Sequence, residues 1–227
     1  MNGDDLFFDE AKKAIKEIEP EEEDNKKPII IIAGLFIAII LLISFIPYYA
    51  VKLNPSPDLD VVRSFELTSA EKVRLENITG GHQSISAAIS ALNIADYRTI
   101  TVRLVTSACE VESDLCFAKA IYYYVRDQTT YVSDPISQYV QTPAETLLIK
   151  GGDCEDKSLE LAVMLESIGI DADIGLTSNH AFVRAQLPSA PFWQLINSDY
   201  VYLDPSTNLD FGKISFKLEE IVGFLEI

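Results

Sequence analysis

The longest apolar pattern along the chain is a run of 23 residues without a charge, from Ile29 to Val51. As an α-helix, such a run would reach about 35 Å, which is enough to cross a bilayer. Lys27 and Lys52 close the run on its two sides. The 28 residues before it are longer and more acidic than the start of a usual signal peptide, and no Ala-x-Ala site follows. The pattern predicts a single uncleaved transmembrane signal anchor at residues 29–51.

The segments on either side of this run predict an orientation in the membrane. Residues 1–28 hold ten acidic residues and five lysines, and this composition predicts a mostly disordered acidic tail. Two of those lysines lie directly beside the apolar run, whereas the other side offers only Lys52 and Arg63 nearby. Since basic residues near the membrane stay inside, we expect a cytoplasmic tail and an extracytoplasmic domain.

The rest of the chain is divided by a short proline-rich segment. Residues 52–62 include Asn54-Pro55-Ser56-Pro57, which predicts a stiff linker. Residues 63–227 then form one domain, long enough to bury a sizeable core. The chain carries a net charge of −17, of which −12 falls on residues 29–227. Nucleic acid would repel such a domain, so the sequence excludes nucleic-acid binding as its function.

The most informative motif of the domain is the polar segment Gly151-Gly152-Asp153-Cys154-Glu155-Asp156-Lys157. Asp153 is a good N-cap, and the apolar spacing that follows predicts a helix that Gly169 ends. Cys154 therefore lies in the first turn of a helix. There, unpaired N–H groups and the positive end of the macrodipole favour the thiolate, which is the nucleophilic form. The alternative is a small buried cysteine that fills a gap between helix and sheet.

Two alternating segments downstream predict strands that carry partners for this cysteine. One of the two histidines, His180, opens the strand 180–187, and a second strand, 200–204, ends at Asp204 before a turn. A cysteine, a histidine and a carboxylate in this order are typical of a nucleophile, its base and the group that orients the base. Taken singly, a histidine is more often structural and Asp-Pro-Ser is usually only a turn.

These motifs resemble those of the transglutaminase-like superfamily, and most closely its microbial cysteine peptidases. The matching segments are Gly152-Asp153-Cys154-Glu155-Asp156, Asn179-His180-Ala181-Phe182-Val183, Tyr202-Leu203-Asp204-Pro205 and the upstream Thr142-Pro143-Ala144-Glu145-Thr146-Leu147. The resemblance implies an α+β, papain-like core in which the helix carrying the cysteine packs on a small antiparallel sheet. It also implies thiol-dependent acyl transfer from an amide by Cys154, His180 and Asp204. Lys157-Ser158 departs from the aromatic and alanine common in relatives, so substrate preference does not carry over.

The sequence does not fix which groups donate hydrogen bonds to the oxyanion, or whether a metal is bound. The backbone N–H of Cys154 is one donor, and a side chain from the preceding loop, with Gln141 or Tyr139 selected here, would be the second. Because some relatives bind calcium beside the cysteine, Asp153 and Glu155 could contribute ligands. The preferred interpretation is that these carboxylates complement the helix start, with no cofactor required.

The other two of the three cysteines, Cys109 and Cys116, flank a short polar turn between two predicted helices. In an oxidising compartment they would form a disulfide and leave Cys154 as the free thiol. The alternative is a pair of reduced cysteines at helix ends.

The sequence thus predicts a membrane-anchored thiol hydrolase, a peptidase or amidase, that acts on a protein or peptide substrate through a thioester. Two alternatives stay open. An amine in place of water as acyl acceptor would make the protein a cross-linking transglutaminase. A non-catalytic binding or assembly module could keep the same fold.

Overall fold

The computed structural model describes residues 12–13, 26–134, 139–196 and 199–227. The chain divides into two compact units, Met1–Tyr49 and Ala50–Ile227. Helix α1 begins at Lys26 in the first unit and ends at Leu53 in the second, with side chains described for residues 30–44. Across the described residues, no helix meets both the length and the apolarity that a membrane span requires.

The acidic tail 1–28 lies mostly outside the described residues, whereas the anchor 29–51 lies within helix α1, with side chains described for residues 30–44. Both stay predictions, as does the orientation derived from them.

The second unit combines short helices with one sheet. Its helices are α2 (Leu59–Ser64), α3 (Ser69–Glu76), α4 (Ile85–Ser90), α5 (Arg98–Ala108), α6 (Asp114–Gln128), α7 (Pro143–Ile149) and α8 (Cys154–Glu166), with 3₁₀ turns at Ile94–Asp96 and Leu218–Glu220. Its strands are β1 (Gly81–His82), β2 (Thr130–Tyr131), β3 (Val140–Gln141), β4 (Gly151–Gly152), β5 (Ala172–Leu176), β6 (Ala181–Gln186), β7 (Tyr200–Leu203) and β8 (Gly223–Glu226).

Strands β5 to β8 form a four-stranded antiparallel sheet in the order β7-β6-β5-β8. Helix α8 packs on β5 and β6 and is buried along most of its length, with Leu161 and Leu165 fully inaccessible. Its end agrees with the sequence prediction, because Gly169 adopts a positive φ of 87° that favours glycine. A helix bearing the cysteine on a small antiparallel sheet is the predicted α+β arrangement.

The segment 52–62, which the sequence assigned to a linker, lies within the second unit and packs on it. Val62 of α2 is fully buried. The Lys119 ammonium of α6 donates hydrogen bonds to Asn54 Oδ1 at 2.5 Å and to the Pro55 carbonyl at 2.8 Å. These contacts hold the start of the unit against α6. Lys119 lies 65 residues from Asn54 and 64 from Pro55 in sequence, so the composition of the segment gave no sign of these contacts.

Two short strand pairs surround the start of α8. Strand β2 runs parallel to β4, with Tyr131 in register with Gly152, and β1 runs antiparallel to β3. The backbone N–H of Val132 also donates to the Gly152 carbonyl at 3.0 Å. The β2–β4 pair brings Tyr131 next to the residues that precede Cys154.

The predicted disulfide between Cys109 and Cys116 is present. Its S–S distance is 2.03 Å and its Cα atoms are 6.1 Å apart, and it joins the end of α5 to the first turn of α6. Cys154 is the free cysteine of the chain.

Candidate active site

The backbone at the start of α8 is fixed by a capping box. Asp153 Oδ1 accepts hydrogen bonds from the N–H groups of Glu155 (2.9 Å) and Asp156 (3.3 Å), and Asp156 Oδ2 accepts from the Asp153 N–H (3.1 Å). A Cβ on Gly152 would lie 2.7 Å from Asp156 Cβ, so glycine is needed for this close approach. The box therefore places Cys154 as the first helical residue, as the sequence predicted.

Asp156 also connects this helix start to strand β3. Its Oδ1 accepts a hydrogen bond from the Gln141 N–H at 2.8 Å, while the carboxyl group is 1% exposed. Burial raises the pKa of Asp156 to about 7, and the hydrogen bonds from Gln141 and Asp153 only partly offset this effect. The sequence marked Asp156 as part of a motif but gave it no role of its own. Its spacing from the N-cap, which is that of a capping box, is the signal that could have shown one.

The histidine and the carboxylate are brought together by the register of two neighbouring strands. Val183 on β6 lies opposite Leu203 on β7, which places His180 before one strand and Asp204 after the other at the same edge. His180 Nε2 lies 3.0 Å from Asp204 Oδ1, and the Asp204 side chain has no exposed surface. A carboxylate can only accept, so the imidazole donates this hydrogen bond.

His180 and Asp204 shift each other's pKa in the directions expected of an ion pair. Burial alone would raise the pKa of Asp204, but hydrogen bonds from His180 and Ser215 outweigh it, and the pKa is lowered. The hydrogen bond with Asp204, followed by one with Cys154, raises the pKa of His180 from 6.5 to about 9. At neutral pH the pair therefore consists of a carboxylate and an imidazolium that also contacts the cysteine.

Cys154 and His180 face a common cavity of about 600 Å³. Among the described residues that line it, the charged side chains other than His180 are the carboxylates Asp153 and Glu155. Lysine and arginine do not line the described walls. The cavity thus combines a cysteine sulfur, an imidazolium and a rim that carries two carboxylates.

The two side chains selected as oxyanion donors lie away from the cavity. The Tyr139 hydroxyl donates to the Glu145 carboxylate (3.0 and 3.1 Å to its two oxygens), and Gln141 Oε1 accepts a hydrogen bond from the Thr146 hydroxyl at 3.3 Å. Neither Tyr139 nor Gln141 is among the residues that line the cavity. No local pattern in the sequence shows which way these side chains face.

Tyr131 is the tyrosine that lines the cavity beside the cysteine. It is 52% exposed, and its pKa is raised by burial first and then by the negative charge of Cys154 and Asp153. The sequence analysis selected Gln141 or Tyr139 for this role and not Tyr131. The pairing of β2 with β4 is the feature that selects it, and this pairing is too short to be read from alternation.

The Asp153 carboxylate next to Cys154 caps the helix start. Asp153 Oδ1 accepts two backbone hydrogen bonds, as described above, which matches the capping interpretation. Within the described part of the chain, no group of three or more His, Cys, Asp or Glu side chains could hold a metal ion. A calcium requirement stays untested.

Residues 101–187 match the family model described as the transglutaminase-like superfamily core. The matched range contains Cys154 and His180 and stops before Asp204. With the helix-on-sheet arrangement described above, this match confirms the predicted resemblance and the α+β transglutaminase-like fold. Among curated proteins, none matches the chain significantly.

Two solved structures align with the chain at low identity. One is a proposed protease from Parabacteroides distasonis ATCC 8503, with 12% identity, a TM-score of 0.39, and coverage of 59% of this chain and 26% of that one. The other is a proposed cysteine protease from Cytophaga hutchinsonii, with 13% identity, a TM-score of 0.40, and coverage of 71% and 47%. The alignments span less than half of either relative's own length.

Proposed function

We propose that this chain, which carries a transglutaminase-like core at residues 101–187, is a thiol-dependent hydrolase that cleaves amide bonds in peptides or proteins. Cys154 is the nucleophile, His180 the general acid and base, and Asp204 the residue that orients His180. The observation that carries the proposal is the convergence of these three groups. His180 hydrogen-bonds Asp204 at 3.0 Å and lines the same open cavity as Cys154.

In the first step, the sulfur of Cys154, as the thiolate paired with the His180 imidazolium, attacks the carbonyl carbon of a bound amide. The C–S bond forms, and the carbonyl electron pair moves to oxygen. His180 is charged at neutral pH, so it can give its proton to the departing nitrogen as the C–N bond breaks. The amine leaves, and a thioester remains on Cys154.

In the second step, a water molecule attacks the thioester. His180, now neutral, accepts a proton from that water, and the C–S bond breaks to release the acid. The thiolate and the imidazolium are restored. Asp204 stays ionised throughout, because its lowered pKa keeps the proton on the imidazole.

Two groups could stabilise the oxyanion of both steps. The backbone N–H of Cys154 belongs to the first turn of α8, where N–H groups lack helical partners. The Tyr131 hydroxyl is the side-chain donor that we favour, since it lines the cavity and neither Tyr139 nor Gln141 does.

We further propose that the enzyme works while tethered to a membrane through residues 29–51, with its catalytic unit outside the cytoplasm. The disulfide between Cys109 and Cys116 supports an oxidising location for this unit. Flotation of the full chain with vesicles tests the anchor. Protease added outside sealed cells tests the orientation of the catalytic unit.

The thiol chemistry is tested by alkylation of the full chain with iodoacetamide at pH 7. Because Cys154 is the free cysteine, intact mass reports this site alone. We expect it to react about tenfold or more faster in the native chain than in urea, since the helix start and the imidazolium stabilise negative charge on sulfur. His180→Ala should remove the part of the difference that the imidazolium contributes. Equal native and unfolded rates would refute the enzyme proposal.

The acyl acceptor is tested separately with peptide amides and hydroxylamine. A thioester on Cys154 gives an acid with water and a hydroxamate with hydroxylamine, and Cys154→Ala should give neither. If primary amines capture most of the acyl group in competition with water, the protein is a transglutaminase. A reactive Cys154 that yields no product from a broad peptide mixture would favour the non-catalytic module.

A further inference from the structure

The chain that follows Asp204 is anchored on helix α6. The Tyr122 hydroxyl donates to the Leu209 carbonyl at 2.8 Å and to the Asp204 carbonyl at 3.3 Å, and Arg126 donates to the same Leu209 carbonyl at 2.8 Å. Phe211 is buried, and its ring meets that of Tyr122 edge-on at 5.6 Å. The chain therefore has a fixed point about seven residues beyond Asp204.

After this fixed point the chain reverses direction. Gly212 adopts a positive φ of 77°, in the region that favours glycine, and the Lys213 N–H donates to the Asp210 carbonyl at 3.0 Å. A Cβ at Gly212 would also approach Gln194 Cγ to 3.3 Å. This turn sends residues 212–217, which we call the strap, back toward Asp204.

The strap supplies the hydrogen bond to the second oxygen of the Asp204 carboxylate. Oδ1 accepts from His180 and from the Ser206 hydroxyl, at 3.0 and 2.9 Å. Oδ2 accepts from the Ser215 hydroxyl at 2.6 Å, across a separation of 11 residues. Asp204 has no exposed surface, whereas Ser215 is exposed, so Ser215 lies between the carboxylate and solvent.

The next residue of the strap covers the imidazole. The Phe216 ring centroid lies 5.9 Å from that of His180 and 4.4 Å from that of Phe182, whose side chain is fully buried. The Phe216 ring is thus held between the hydrophobic core and the histidine. A nonpolar ring here limits the access of water to the bond between His180 and Asp204.

We propose that Ser215 and Phe216 position the His180–Asp204 pair: Ser215 fixes the carboxylate so that Oδ1 faces the imidazole, and Phe216 shields their hydrogen bond from water. Both are positioning residues, since they act through His180 and Asp204. This inference rests on the proposed function for its consequence in turnover. The shielding itself can be measured in an inactive protein.

The test is the solvent exchange of the His180 Nε2 proton, observed by NMR on the full chain in detergent micelles. A proton shared with a buried carboxylate gives a downfield signal only if water exchanges it slowly. The chain has two histidines, so His82→Gln assigns the signal. We expect a protected proton in the wild type and at least about tenfold faster exchange in Ser215→Ala. Ser215→Thr keeps the hydroxyl and should retain protection.

Two further variants make the result specific to these side chains. Phe216→Leu keeps an apolar contact but loses the ring, so it should show intermediate exchange. Lys213→Ala changes an exposed strap residue and should exchange like the wild type. If the wild-type proton exchanges freely, or if Ser215→Ala leaves it protected, the inference is wrong.

Turnover separates this inference from the proposed function. If the protein cleaves amides, Ser215→Ala should lower kcat about fivefold while KM changes little, because a misplaced base affects the chemical step. A protein with a protected proton but no turnover would refute the proposed function and leave the strap intact. An active protein in which Ser215→Ala changes neither exchange nor kcat would refute the strap alone.

Discussion

Loss of the disulfide between Cys109 and Cys116 should destabilise the second unit by an amount that follows from its loop. The bond joins residues that are 7 apart in sequence. The loop-entropy relation for such a short loop gives about 2.4 kcal/mol of stabilisation, through restriction of the unfolded chain. For a unit of this size, that loss corresponds to a fall in Tm of about 5–10 °C.

The measurement compares oxidised full chain with the same chain after reduction, by urea unfolding followed with circular dichroism. A Cys154→Ser background prevents thiol exchange, and the side chains at both positions stay the same in the two samples. Neither cysteine of the bridge lines the cavity, so in the native background the alkylation rate of Cys154 should not change. A loss of unfolding free energy below about 1 kcal/mol would refute the loop-entropy argument.

Three other predictions concern the sheet, the histidine and the cavity rim. A methyl group at Gly175 would lie 2.2 Å from the buried Phe182 ring, so Gly175→Ala should cost about 1–3 kcal/mol in urea unfolding. The hydrogen bond with Asp204 is the main cause that raises the pKa of His180 from 6.5 to about 9, so the folded chain holds a proton that the unfolded chain releases. This contribution to the unfolding free energy is complete below pH 6.5 and disappears as the pH rises through 9, which urea titrations across pH will measure. Peptides with lysine near the cleaved bond should react about threefold faster than their glutamate counterparts at low salt, and Glu155→Gln and added salt should both reduce this ratio.

Each of these three has a control in the chain. Gly223→Ala adds a methyl group in the same sheet where no atom lies within 4 Å, so it should cost less than about 0.5 kcal/mol. Asp204→Asn removes the main cause that raises the pKa of His180. The unfolding free energy should then depend less steeply on pH. Wild-type and Asp204→Asn curves with the same slope between pH 6.5 and 9 would contradict the assigned ion pair. Equal rates for both peptides at low salt would contradict the role of the rim.

The parts of the site that could be predicted from sequence depend on local signals. Asp153 and Cys154 are adjacent, so a helix start and its cap could be read directly, and the structure has both. His180 precedes a strand and Asp204 follows one, and alternation revealed both strands. His180 and Asp204 could be assigned as partners because the start of one strand lies beside the end of its antiparallel neighbour, at the same edge of the sheet.

The parts that could not be predicted depend on distant contacts or on side-chain direction. Ser215 reaches Asp204 only because Gly212 reverses the chain, and nothing local marks that turn as part of the site. Tyr131 lines the cavity because of a parallel pair of two-residue strands. Asp156 joins the helix start to Gln141 across 15 residues. In each case the tertiary structure, rather than a pattern, decides the partner.

The site is held by two separate sets of contacts that meet at Cys154 and His180. The capping box and the bond from Gln141 to Asp156 fix the sulfur, whereas strand register and the strap fix the imidazole. Asp156→Asn should therefore disturb only the first set. The two carboxylate oxygens of Asp156 accept from the backbone N–H groups of Gln141 and Asp153, one each, whereas an asparagine amide has a single acceptor oxygen. We expect Cys154 alkylation to slow about threefold or more in Asp156→Asn, with the His180 Nε2 proton still protected. Loss of that protection would show that the two sets are coupled, and the division proposed here would be wrong.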